Sequence, residues 1–152
     1  RYTGQRRADI VHFGRQHVRD GCLRFTQNKN RNRNPVQLDL PIVPELQRII
    51  DASPTGDLAF LVTEYGRPFT AAGFGNKFRE WCNEAGLQHC SAHGLRKAAA
   101  TSFAEAGASA HMLMAWFGWK SLRQPEHYTR AANQKKLAAS VVPLLGRAKD
   151  GT

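Results

Sequence analysis

The chain has 152 residues, of which 41 % are hydrophobic, enough for one domain with one packed core and too many for wholesale disorder. Its net charge of +10 and pI of about 10.2 call for a polyanionic partner. No stretch reads as a signal peptide and no apolar run is long enough to span a bilayer, so nucleic acid is favoured over an anionic membrane, and no membrane role is expected.

Taken in chain order, the pattern predicts a short helix from Arg6 to about Phe13, after a turn at Thr3-Gly4. Cys22 to Thr26 and Val36 to Leu40 alternate as strands do. The polar run from Gln27 to Asn34 joins them as a hairpin. Pro44 opens a helix ending near Ser53-Pro54, and Leu58 to Val62 is expected to be a third strand. Thr70 to Ala85 is a helix with Phe74, Phe78, Trp81, Cys82 and Ala85 on one face, stopped by Gly86. Ser91 caps a helix running to about Ala106 and closed by Gly107; Ser109 to Phe117 is the next, closed by Gly118. Ser121 to Ala131 carries Tyr128, and Gln134 to Leu145 is expected as a separate last helix with Leu137, Val141, Leu144 and Leu145 apolar. The fold class is therefore mainly α with a small antiparallel β-sheet near the N-terminus.

Cys22, Cys82 and Cys90 are an odd set without paired spacing, which suits buried thiols in a reducing compartment. Cys90 and His93 look like half of a zinc site, but no second ligand pair stands at a matching distance. The acidic residues form no tight cluster for Mg²⁺, so neither a metal nor a cofactor is expected.

Cleaving DNA with a phenol sets definite requirements. The transition state spreads negative charge over non-bridging phosphate oxygens, which planar guanidinium groups bind two-pronged. A phenol holds its proton until about pH 10, and the departing 5′ oxygen needs an acid. His93 and Arg96, three apart, share one helix face. Arg6 at the start of another helix can converge with Arg96, and Lys29 in the hairpin can reach a leaving oxygen. Trp119 offers an indole N–H, and Tyr128 supplies the phenol. Each of these residues alone has an ordinary reading: Arg6 as a surface cation, Arg96 paired to Glu105 or Glu126, His93 at a helix end, Trp119 in a core, Lys29 in a solvated loop, and Tyr128 as a half-buried tyrosine. Glu80 and Glu84 read as a solvated face, with Lys77 beside Glu80.

The set Thr3-Gly4-Gln5-Arg6, Gln27-Asn28-Lys29, His93-Gly94-Leu95-Arg96, Gly118-Trp119 and Tyr128-Thr129, in this order, resembles the tyrosine recombinases of the phage integrase family. The resemblance runs from Thr3 to beyond Tyr128. It implies the breaking-rejoining fold and a site-specific recombinase that works through a 3′-phosphotyrosyl bond and a free 5′-hydroxyl, without ATP or metal. By the same resemblance Arg6 and Arg96 clamp the phosphate, Lys29 is the general acid, His93 handles the tyrosine proton or holds the phosphate, Trp119 donates to a phosphate oxygen, and Tyr128 is the nucleophile. Arg31, Arg33, Lys97 and Lys120 are assigned to the DNA backbone.

The sequence departs from that pattern at Trp119, where His is commoner, at Asp9 in place of Glu, and at Lys97 in place of His. The resemblance further implies a homotetramer on paired DNA sites, with the isolated chain monomeric, and a bacterial, cytoplasmic, DNA-associated setting. Residues 1–152 are expected to be one catalytic domain, a fragment that lacks the N-terminal DNA-binding domain and the first catalytic helix. Two other readings stay open. The helices around Gly107 are loosely like a helix-turn-helix, although Met112, Leu113, Met114, Trp116 and Phe117 make the second one too apolar to read bases. Type IB topoisomerases share the tyrosine chemistry, although the compact spacing here is closer to an integrase.

Overall fold

The computed structural model describes residues 1–147; the remainder of the expected 1–152 domain lies outside the described residues, as does the side chain of Leu145. The chain begins with a one-turn helix, α1 (Arg7–Ile10), and a 3₁₀ turn at Arg15–His17. Three antiparallel strands follow in the order β1 (Val18–Arg19), β2 (Cys22–Thr26) and β3 (Gln37–Pro41). The helices are α2 (Pro44–Ala52), α3 (Ala71–Glu84), α4 (Ala92–Glu105), α5 (Ala110–Phe117) and α6 (Arg123–Arg147).

Alternation decides the sheet. Leu23 pairs with Leu40 and Phe25 with Leu38, and all four side chains are buried on one face. Arg24 opposes Asp39 on the other face and pairs with it at 2.9 Å in water. The expected hairpin is thus present. The third strand is not Leu58 to Val62, whose Leu58 is 71 % exposed and whose Val62 makes only a single bridge, to Pro68. Phe60 N–H instead donates to the Phe13 carbonyl at 2.7 Å, which pins the segment as a loop against the core. The place beside β2 is taken by Val18–Arg19, joined to it through Asp20-Gly21, both at positive φ (51° and 72°), the backbone of a type I′ hairpin turn.

Helix ends follow local chemistry. Thr70, Ser91 and Ser109 each accept from a backbone N–H three residues on, at 3.0, 3.1 and 3.2 Å respectively. The largest departure is α6. The expected break between Ala131 and Gln134 does not occur, because Ala132-Asn133 contains neither Gly nor Pro and the helix continues through it.

Two apolar cores meet at one indole. The sheet core holds Phe13, Leu23, Phe25, Leu38 and Leu40. The helical core holds Ala99, Ala100, Ala104, Leu113, Phe117 and Ala132; the alanines of α4 let α6 approach closely. Trp116 packs on both, and its Nε1 donates to the Thr3 carbonyl at 3.1 Å. Phe117 is fully buried at the centre of the second core. Phe117→Ala is expected to lower unfolding free energy by about 3–5 kcal/mol, read as a drop in denaturant midpoint at unchanged slope.

Candidate active site

The site begins with a turn that could not hold another residue. Gly4 stands at φ +58°, and a Cβ there would lie 2.5 Å from Cε1 of Phe117 and 3.2 Å from Ala99 Cβ. This close approach lays the Thr3–Arg6 segment against α4 and α5. The Gly4 carbonyl then accepts from Arg96 Nη1 at 3.0 Å.

Arg96 is 5 % exposed, yet no carboxylate pairs with it among the described residues. The ordinary reading of an ion pair with Glu105 or Glu126 therefore does not hold. Its guanidinium is held by oxygen dipoles. Nη1 also reaches Gln5 Oε1 at 3.4 Å, and Nη2 donates to the Phe117 carbonyl at 2.9 Å. Its plane lies 4.9 Å from the Phe117 ring centre and 5.5 Å from that of Trp119. Buried Gln27 braces the same acceptors, donating to Gln5 Oε1 at 3.1 Å and to the Phe117 carbonyl at 2.9 Å. Burial pushes the Arg96 pKa down to about 10, and the Arg6 charge pushes the same way against the pull of Asp9 and Tyr128. The group stays a cation at pH 7.

Arg6 precedes α1 as its N-cap residue, and Nη1 is buried without a protein acceptor among the described residues. Arg6, His93 and Arg96 line one cavity of about 440 Å³, so the two guanidinium groups face a common space. Ser91 and Ala92 at the N-terminus of α4 complete that wall, where free N–H groups favour an anion. No Asp or Glu lines the cavity.

The other expected residues are arranged differently. Trp119 is sandwiched between Phe117 (4.8 Å) and Tyr128 (5.7 Å, planes 2° apart). Tyr128 lines a neighbouring cavity with Thr101, Glu105, His127 and Lys136, not the arginine cavity. Lys29 is exposed on the β2–β3 loop and lines neither. Arg33 and Lys97 are exposed, and Arg31 borders a smaller hollow beside Asp9 and His12. Lys120 Nζ donates to the Asn34 carbonyl at 2.9 Å, fastening the α5–α6 turn to the β2–β3 loop.

Three sets of residues have structural roles that sequence reasoning does not supply. Gln5 and Gln27 form the buried polar frame, and their sequence signal is their place in the motifs of Arg6 and Lys29. Asp9 is 3 % exposed and accepts from Asn28 N–H at 2.6 Å, tying the loop of Lys29 to the helix that follows Arg6. Arg7 and Arg79 also line the arginine cavity, which spacing alone does not reveal. Among the described residues no group of three His, Cys, Asp or Glu side chains is placed to hold a metal ion, and no helix is long and apolar enough to cross a membrane.

The family model of the phage integrase family matches residues 1–135. Among solved structures the chain is similar to XerA recombinase, at 17 % identity and TM-score 0.70, covering 91 % of this chain and 53 % of that one. It is similar to a lambda integrase dimer bound to a COC′ core site, at 19 % identity and TM-score 0.66 over 80 % of this chain and 47 % of that one. The Tn1549 transposon integrase in complex with transposon right end DNA gives 14 % identity and TM-score 0.63 over 90 % and 56 %. At these identities the likeness establishes the fold, and the chain spans about half the length of these proteins. No curated protein sequence matches it.

The carbonyl cage predicts that Arg96 contributes to stability. A lysine cannot serve the acceptors on Gly4 and Phe117 together. Arg96→Lys is expected to cost about 1–3 kcal/mol of stability, measured by denaturant unfolding.

Proposed function

The chain belongs to the phage integrase family, and from that premise we propose that it is the catalytic domain of a site-specific tyrosine recombinase acting on double-stranded DNA. The observation that carries the reading is the convergence of Arg6, His93 and Arg96 on one acid-free cavity, with an unpartnered buried N–H of Arg6 beside it.

In this reading the scissile phosphate enters that cavity. Arg6 and Arg96 bind its non-bridging oxygens, and Arg96 is preorganised because carbonyls already hold it. Tyr128 Oη attacks phosphorus and gives its proton to His93, while the bond from phosphorus to the 5′ oxygen breaks. Lys29 protonates that oxygen, leaving a 3′-phosphotyrosine and a free 5′-hydroxyl. Attack by a 5′-hydroxyl reverses the step and rejoins the strand. The phosphotyrosyl bond retains the energy of the broken phosphodiester, so the step needs no ATP, and in this reading the two guanidinium groups offset the charge that a metal ion would otherwise stabilise.

The geometry adds a condition. Tyr128 rests on Trp119 and borders a different cavity, so the phenol has to move towards the arginines when DNA binds, and Lys29 has to swing in on its loop. The family pattern's donor position is filled here by the Trp119 indole, which already touches the Arg96 plane. Lys97 and Arg33, both exposed, and Arg31 supply backbone contacts at the rim. The exposed apolar side chains Leu137, Val141 and Leu144 of α6 suit docking between protomers in a tetramer on paired sites. The setting that follows is DNA-associated, in the cytoplasm of a bacterium. Nothing in the geometry favours the helix-turn-helix reading: Leu113 and Phe117 of α5 point into the core.

A target carrying a nick next to the cleavage point should trap a covalent protein–DNA adduct, seen as a denaturation-resistant band. Tyr128→Phe is expected to abolish the adduct and keep DNA binding; an adduct that persists in this variant removes Tyr128 from its role. Ending the chain after Asn133 should leave unfolding of the core nearly unchanged and weaken assembly on DNA, as light scattering would report, because Ala132 is the last buried side chain of α6 among those described.

A further inference from the structure

The arginine cavity contains more positive charge than a single phosphate needs. Four arginines line it (Arg6, Arg7, Arg79 and Arg96), and no Asp or Glu is among the lining residues. Two of the four already donate to protein. Arg96 donates to the carbonyls of Gly4 and Phe117, and Arg79 Nη1 donates to those of Gln88 (2.7 Å) and Cys90 (2.8 Å). Arg7 differs: among the described residues its guanidinium has no hydrogen-bond acceptor and no acidic partner.

Its position depends on a glycine in another helix. Gly75 lies within α3, where glycine is a poor helix former compared with alanine. A Cβ there would overlap Nη1 of Arg7 and would stand 3.0 Å from its Cζ and 3.2 Å from its Cδ. A long side chain lying along a helix is ordinary. A bare backbone beneath the charged head, at the wall of an acid-free cavity, is a different arrangement. It holds a free guanidinium where one more anion would sit. A cavity of about 440 Å³ matches the size that takes a whole small ligand, and so has room beyond one phosphate group.

We propose that Arg7 is a DNA-contacting residue that binds the backbone phosphate next to the one held by Arg6 and Arg96, and that Gly75 is the gap in α3 that lets it do so. The identity of the anion rests on the recombinase reading; the placement of Arg7 does not. Arg7 is a binding residue, and the phosphate it holds fixes the register of the strand in the cavity.

The test is the salt dependence of binding. The chain is titrated against a mixed-sequence duplex of about 30 base pairs by fluorescence anisotropy, between about 50 and 200 mM KCl. Each phosphate contact contributes roughly −0.9 to the slope of log K against log salt. Arg7→Gln should make that slope shallower by about 0.9. Gly75→Ala should shift it the same way while melting at or above the wild-type temperature, because alanine favours the helix. Arg48→Gln, on the distant helix α2, is the control and should keep the wild-type slope.

A wild-type slope in Arg7→Gln overturns the assignment, and a wild-type slope in Gly75→Ala overturns the part given to the glycine. An equal loss in Arg48→Gln overturns the site, since any surface charge would then count alike. A wild-type chain that does not bind the duplex overturns this proposal together with the recombinase reading. A chain that binds with the expected slopes but never forms the tyrosine adduct sinks only the recombinase chemistry and leaves Arg7 in place.

Discussion

A single buried guanidinium organises this protein. Arg96 is enclosed without a counter-ion, and the cost of that burial is offset by carbonyl oxygens from two distant parts of the chain, Gly4 and Phe117. Dipoles can satisfy its N–H groups without cancelling its charge, as a carboxylate would. The fold thereby keeps a full positive charge available at a cavity wall. The same bonds explain why the turn before Arg6 is seated on the helical core: withdrawing it would strip Arg96 of its acceptors. The residue that carries this charge is also the one that ties the turn to the helices.

The rest of the site is built outward from that point. Gln27 braces the acceptors from the sheet side, and Asp9 fastens the β2–β3 loop to α1. On the opposite side aromatic rings take over, with Phe117, Trp119 and Tyr128 stacked in sequence. The polar frame and the ring stack meet at Arg96, whose plane touches both Phe117 and Trp119. Such a stack has a fixed rest position for the phenol, away from the arginine cavity. The phenol and the paired guanidinium groups of Arg6 and Arg96 thus border separate cavities in this structure.

Much of this was legible in the residues. The hairpin was visible because its alternation has period two, and the helix starts because Thr70, Ser91 and Ser109 are capping residues. Arg6, His93 and Arg96 could be placed together because their motifs are local and ordered. What escaped has physical causes. The Asp20-Gly21 turn is a two-residue signal flanked by a strand of only two residues, too short for periodicity to register. Leu58 to Val62 is apolar without being a strand, since its burial is local to Ala59 and its hydrogen bonds go to a loop. The division of α6 fails because Ala132-Asn133 holds no residue that breaks a helix. Buried glutamines and the Arg7–Gly75 contact are properties of packing between elements, on which a linear pattern is silent.

The unbroken run of α6 has a mechanical meaning. Pro125, Thr129 and Ala132 are buried and seat its first turns, while Leu137, Val141 and Leu144 beyond them stand in solvent. The seated turns are a fulcrum and the remainder is an arm. Tyr128 lies at the fulcrum, and Val141 is about 20 Å further along at 1.5 Å per residue. A load on the far end applies torque where the phenol is held. The helix thus carries a force on its far end back to the turn that holds Tyr128, with neither glycine nor proline between Tyr128 and Val141 to absorb it.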